Sequence, residues 1–204
     1  ALSADRLFFN SQYHKNSFLQ GLQEMLQHYP DFKHSENVQK IKEKSEVLSL
    51  GMDLSEIDDY LKKKKGGKYS PVLLWNHRWE YDKDPDLFFK TLFHLKKDDV
   101  SFKLIVLGES FRKYPEIFDE AKDRLKENII HFGYATSKKK YFQLLSQADI
   151  LPVSSKQDFF GGSIVEAMYS NCLPLLPNRL AYPEHIPEEL KKNFIYEDDH
   201  LFKE

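Results

Sequence analysis

Ile150-Leu-Pro-Val-Ser-Ser-Lys-Gln-Asp-Phe-Phe-Gly-Gly-Ser-Ile-Val-Glu-Ala-Met-Tyr-Ser-Asn-Cys-Leu-Pro-Leu-Leu176 reads as strand, loop, helix and strand in turn. Ile150 to Val153 and Leu173 to Leu176 are apolar without alternation, the pattern of strands covered on both faces. Between them Gly161-Gly162 leads straight into a helical stretch that runs to Ser170. A strand, a crossover helix and a second strand of this kind pair in parallel.

The same rhythm extends upstream. Pro71 to Trp75 is a buried strand, and Asp84-Pro85 opens a helix as N-cap and first helical residue. Phe102 to Leu107 is a second strand, ended by Gly108, and Pro115 to Lys126 a helix. Ile129 to Phe132 is a third strand, ended by Gly133, and Ser137 caps the next helix. Ile150 to Val153 and Leu173 to Leu176 follow as fourth and fifth strands, and Phe194 to Tyr196 as a sixth. Right-handed crossovers leave few topologies, and an α/β fold with a Rossmann-like doubly wound parallel sheet, order 3-2-1-4-5-6, is expected. Ligands in such sheets bind beyond the carboxyl ends of the strands where the order reverses. That point lies between the first and fourth strands, so the loops 76–83 and 154–162 are the ones to inspect.

The first fifty residues differ. Leu7 to Asn10 and Val47 to Leu50 look like strands, and Ser17 to His28 like a helix. So few pieces cannot bury a core, and they are expected to be the remnant of an N-terminal domain, residues 1–50. Residues 51–70 contain Lys62-Lys-Lys-Lys-Gly-Gly-Lys68 and read as a solvated linker. Residues 71–196 form the main domain and 197–204 a tail. The chain starts at Ala1, as expected of a piece of something longer.

Thirty basic against thirty-two acidic residues give a net charge of −2, which argues against a dedicated nucleic-acid binder but leaves room for a local RNA patch. Sixteen Phe and eleven Tyr supply a core and exclude disorder. One cysteine, Cys172, excludes a disulfide framework and suits a reducing compartment, so a cytoplasmic protein is expected. No apolar run approaches the roughly 20 residues of a membrane span, and no signal peptide or membrane partner is expected.

Two loops carry the chemistry. Asn76-His-Arg-Trp-Glu-Tyr-Asp-Lys83 sets Arg78 and Lys83 at the mouth of the crevice. A guanidinium fork and an ammonium together suit a diphosphate. Taken alone, the loop is equally explained by surface charges paired with Glu80 and Asp82. The other loop exposes backbone N–H groups and a helix dipole at Gly161-Gly162, a place that binds phosphate. A lone Gly-Gly would be an ordinary turn; beside Arg78 and Lys83 it reads as an anion site. Asp158 and Glu166 flank that turn, and carboxylates beside a phosphate suit sugar hydroxyls. For Glu166 a simple helix-dipole contact explains the acid as well.

The run Asp158 to Ala167 resembles the Glu-x7-Glu motif of retaining GT-B glycosyltransferases, the clan that includes glycogen and sucrose synthases. Arg78-x4-Lys83 is similar to that clan's diphosphate-binding pair. Leu104 to Gly108, His131 to Tyr134, Ala148-Asp149, Pro174 and Pro183-Glu184 resemble its other landmarks, in order. The departure is Asp158, one methylene shorter than the family's Glu. A narrower resemblance runs through Trp75 to Glu80, Val106 to Phe111, Phe159 to Gly161 and Arg179 to Glu184. It is to the glycosyltransferase-like family that includes the tRNA-queuosine mannosyltransferase, and Phe8 to Tyr13 resembles the end of that family's N-terminal domain.

The resemblance implies a hexosyltransferase whose donor-binding half this is, with GDP-mannose as nucleotide-sugar donor, queuosine in tRNA as acceptor and no metal. Arg78 and Lys83 would neutralise the leaving diphosphate and, with Asp158 on the sugar, form the catalytic set. Phe160, Gly161, Gly162, Ser163 and Ile164 would surround the phosphates, Glu166 would hold the ribose, and Gly133 and Tyr134 would lie near the base. The chain by itself is expected to bind donor without transferring, because acceptor and base come from a missing N-terminal half. The competing readings are a non-catalytic nucleotide-sugar-binding module, a transferase acting on a glycan or lipid, and a flavodoxin-like domain; the last would need a glycine after the first strand, where Asn76-His77-Arg78 stands.

Other patterns carry less. Asp82-x-Asp84-x-Asp86 fails as a calcium loop, since Leu87 and Phe93 stand where Gly and Glu are needed. His77 is read as either crevice or structural, Trp75 as core, Trp79 as a wall of the site, Cys172 as core, and Lys138 to Lys140 as the solvated start of a helix.

Overall fold

The Ile150–Leu176 stretch forms the parallel unit expected of it. The computed structural model describes residues 1–29, 34–61 and 70–197. Among these, β3 (Val72–Trp75), β4 (Lys103–Val106), β5 (Ile129–Phe132), β6 (Ile150–Pro152), β7 (Leu173–Pro177) and β8 (Ile195–Tyr196) make one parallel sheet in the order β5-β4-β3-β6-β7-β8. Counted from β3, that is the expected 3-2-1-4-5-6.

Strand alternation distributes the core. Leu73, Trp75, Leu104 and Val106 point to one face, where α4 (Pro85–Lys97) and α5 (Ile117–Arg124) lie. Leu74 and Ile105 point to the other, under α6 (Lys138–Leu145) and α7 (Gly162–Tyr169). Both faces are apolar because both are covered, which is why the strands read as unbroken runs. Asp84 caps α4 by accepting from the Leu87 N–H at 3.4 Å, with Pro85 at the first position. Its acidic neighbours pair with lysines, Asp82 with Lys83 and Asp86 with Lys90, so helix capping and ion pairs account for the aspartate cluster.

β3 and β6 meet at the switch point with Leu73 opposite Ile150. Asp149, at the edge of this seam, accepts from the Val72 N–H at 2.9 Å through its carboxylate.

The N-terminal segment departs from its sequence reading. β1 (Leu7–Phe9) pairs in parallel with β2 (Ser45–Val47), so the second strand lies before the expected Val47 to Leu50. α1 spans Gln12–Gln27 and starts five residues before Ser17, because Ser11 caps it by accepting from the His14 N–H at 3.0 Å. A second helix, α2 (Ser35–Glu43), was hidden by its polar sequence; among its residues of described burial only Ile41 is well buried. Within residues 51–70, α3 (Ser55–Asp58) sends Ile57, fully buried, into the main core. That part of the stretch is packed rather than solvated, while Lys62 to Lys68 lie outside the described residues. α8 (Lys191–Phe194) leads into β8.

Candidate functional site

The carboxyl ends of β3 and β6 diverge at the switch point, and a cavity of about 610 Å³ opens there. Arg78, Lys83, Asp158 and residues 159–162 line it, together with Asn10 and Leu50 from the N-terminal segment. A second cavity, of about 330 Å³, lies at the ends of β3, β4 and β5; Asn76, Gly108, Tyr134, Thr136 and Tyr141 are among its walls.

Lys83 is the buried cation of the larger cavity. It is 8% exposed. Its ammonium donates to the Gln157 carbonyl at 2.6 Å and lies 3.2 Å from Asp82 Oδ2 and 3.7 Å from Asp158 Oδ2. A buried ammonium needs such partners. The 3₁₀ turn Tyr81–Lys83 sets its place, and Ser154 Oγ donates to its carbonyl at 2.9 Å, tying the β3 loop to the β6 loop. Arg78 is half exposed and paired with Glu80 at 3.0 Å. The pairing with Glu80 and Asp82 that explained the loop on its own is therefore observed, but on the wall of a cavity.

The β6 loop is shaped around Asp158. Its Oδ1 accepts from the Phe160 N–H at 3.1 Å, turning the chain toward α7. Gly161 stands at the N-cap with φ 85°, in the left-handed region glycine favours. A Cβ there would press on Ile164 Cδ1 at 3.0 Å. The Ile164 and Val165 N–H groups both donate to the Gly161 carbonyl. The amides of Gly162 and Ser163 belong to the first turn, which has no acceptor within a helix. These two, rather than Ile164, are the ones offered to a ligand. Phe160 is held from beyond, its carbonyl against His185 Nε2 and its ring edge-on to the same imidazole at 5.2 Å.

Around the smaller cavity, Gly133 ends β5 with φ 123° and is followed by Tyr134, which is largely exposed. Glu166 accepts from the Tyr141 hydroxyl at 2.6 Å. Burial first, then the Glu166 charge, push the Tyr141 phenol's pKa up, so it stays a donor. Asn76 Nδ2 donates to the Ser163 carbonyl at 2.7 Å, anchoring α7 to the end of β3.

His77 is buried and its pKa is lowered to about 4, chiefly by desolvation and next by the Lys83 charge. It is neutral, with Nδ1 3.4 Å from Ser163 Oγ, and is structural rather than a crevice acid. Trp79 is no wall of the site: it is buried, stacked on Phe118 at 4.2 Å, with its indole N–H on the Leu107 carbonyl. Trp75 and Cys172 are core, as expected. Among the described residues, no group of His, Cys, Asp and Glu side chains is arranged to hold a metal, and no helix is long and apolar enough to cross a membrane.

Residues 57–200 match the family model described as glycosyl transferases group 1. The chain belongs to that family. Residues 1–52 match a second model, tRNA-queuosine alpha-mannosyltransferase N-terminal. The tRNA-queuosine alpha-mannosyltransferase of Drosophila melanogaster is 34% identical over 194 residues, covering 92% of this chain and 51% of that protein. The chain thus spans about half the length of the curated relative it matches. Among solved structures, a glycosyltransferase from Rickettsia africae superposes with TM-score 0.71 at 18% identity, over 98% of this chain and 51% of that one. Anabaena Alr3699/HepE in complex with UDP-glucose does so with TM-score 0.68 at 17% identity, over 98% and 52%. At such identities these two show the fold, which is that of GT-B glycosyltransferases.

In this group 1 glycosyl transferase chain the structure brings Arg78, Lys83, Asp158 and Phe160 to Gly162 together on the larger cavity and Tyr134 to the smaller one. Three contributors were missed: Asn76, Gln157 and Tyr141. Asn76 and Gln157 act through groups no pattern distinguishes. Tyr141 was legible only as an apolar-face residue of α6, and its partner Glu166 lies 25 positions away.

Proposed function

We propose that the chain is the donor-binding half of a retaining hexosyltransferase, with its 1–50 segment belonging to the acceptor-side domain. The observation that carries this is the larger cavity, where Arg78 and Lys83 face the first turn of α7. As a glycosidic bond breaks, negative charge builds on the leaving diphosphate. Fixed cations and helix amides stabilise that state more than the ground state. The diphosphate takes the place between Lys83, Arg78 and the Gly162 and Ser163 amides, releasing Lys83 from part of its pairing with Asp158. Asp158 then faces the transferred sugar. The smaller cavity, on the β4–β5 side, takes the base, and Glu166 takes the ribose.

The donor is GDP-mannose and the acceptor queuosine in tRNA. The N-terminal family match and the 34% identity to the Drosophila enzyme support both. A cytoplasmic setting goes with a tRNA acceptor.

A thermal-shift panel of GDP, UDP and ADP with their sugars, followed by titration calorimetry, tests the site. Bound ligand raises stability in proportion to the logarithm of its concentration over Kd. GDP and GDP-mannose are expected to stabilise the chain most, and Arg78→Ala or Lys83→Ala to weaken GDP by about 1–3 kcal/mol each. Affinity unchanged in both variants would take these residues out of the site; a preference for UDP would remove mannose from GDP as donor.

A further inference from the structure

We propose that Tyr141 is a positioning residue for the donor: it fixes the Glu166 carboxylate where the ribose hydroxyls arrive and so joins the ribose contact to the wall of the base cavity. The proposal rests on the nucleotide-site reading above and adds a residue to it. The geometry is specific. Tyr141 stands on α6 and Glu166 on α7, and the hydroxyl of one donates to Oε2 of the other at 2.6 Å. A bond of this length to a carboxylate is of the strong, charge-assisted kind. Asn76 lines the same cavity as Tyr141, and its amide holds the Ser163 carbonyl. Two bonds, one from the end of β3 and one from α6, thus fix the first turns of α7.

This arrangement leaves Glu166 usable. A carboxylate has about four acceptor positions, so a single bond from Tyr141 leaves enough for a vicinal diol. Without that bond the Glu166 side chain would have to be ordered at the moment of binding, at a cost in affinity. Tyr141 lines the smaller cavity as well. A base seated there would meet the Tyr141 ring, and a ribose on Glu166 would be placed through its hydroxyl.

Tyr141→Phe removes the hydroxyl and keeps the ring. Calorimetry on the full chain would compare GDP with 2′,3′-dideoxy-GDP, which lacks the hydroxyls that Glu166 receives. Tyr141→Phe is expected to weaken GDP roughly tenfold. It should leave the dideoxy ligand within about twofold of wild type, the margin of independent effects. Glu166→Gln should show the same pattern, and the double variant should be no weaker than Glu166→Gln alone. Equal loss for both ligands would make Tyr141 a packing residue and overturn the proposal, as would unchanged GDP affinity. Wild type binding no nucleoside diphosphate at all would be a different failure, that of the nucleotide site itself.

Discussion

His77 shows how a residue can sit beside a charged site and take no charge. Its imidazole is buried next to Lys83, and desolvation and that ammonium outweigh the pull of Asp158 and Asp82. Folded, it accepts a proton only near pH 4; unfolded, near 6.5. Between those values the unfolded chain binds more protons, so stability falls as pH falls. The contribution is whole above about pH 6.5 and is lost toward 4. From about pH 8 to 5 the loss should be about 2 kcal/mol. Urea unfolding of wild type and His77→Gln at the two pH values checks this: the variant should lack most of that dependence, and equal slopes in both would reject the assignment. Lys83 makes the opposite case at the same spot, staying buried because Gln157, Asp82 and Asp158 surround it. Its place in the site was legible because it lies in a short loop after a clear strand. Tyr141 was not, because one hydroxyl does not alter the apolar rhythm of α6, and the contact that gives it meaning is tertiary.

Among the elements, the inner strands β3, β4, β6 and β7 were readable because they are largely buried and almost wholly apolar, while the edge strands β5 and β8 are only partly covered and were found from their place in the repeating rhythm. β1, β2 and α2 are short or polar, and their positions depend on pairing and docking that periodicity does not record. The loops between strands depend on single backbone positions. Gly108 ends β4 with φ 116°, and a Cβ there would collide with the backbone carbonyl of His77, which cannot yield as a side chain can. Gly133 ends β5 with φ 123°, but a Cβ would meet nothing within 4 Å. Gly108→Ala should therefore cost more than about 3 kcal/mol, and Gly133→Ala about 1–2 kcal/mol, the strain of the backbone alone. Chemical denaturation of the two variants separates them. Similar costs would mean that the approach of the β4 loop to the β3 loop is looser than described.

The whole molecule is tied across its length by a carboxylate. Glu184 accepts from the Gln12 and Tyr13 N–H groups, each at 2.8 Å, and so caps α1 from a part of the chain some 170 positions away. Ser11 Oγ donates to the Phe159 carbonyl at 2.7 Å, and His14 stacks on the Phe159 ring at 4.1 Å. The N-terminal segment thus grips the loop between β6 and α7. Glu184→Ala should loosen that grip by about 1–2 kcal/mol, the range for a lost cap. Hydrogen exchange at Gln12 and Tyr13 should accelerate while the sheet amides stay protected; unchanged exchange at both would rule the cap out. The seam between β3 and β6 has a consequence of another kind, in time. Strands β3 to β5 are consecutive in the chain, as are β6 to β8, so each half closes through short connections. The seam must bring Val72 to Asp149 across 77 positions. Loop closure makes such a joint slow to form, so during refolding the Val72 and Asp149 amides, which bond across the seam, should become protected after that of Ile105, which pulse-labelled exchange would reveal, and protection at the seam first would reverse the order. The crevice lies on that seam, so a newly made chain would hold most of its sheet before its crevice existed.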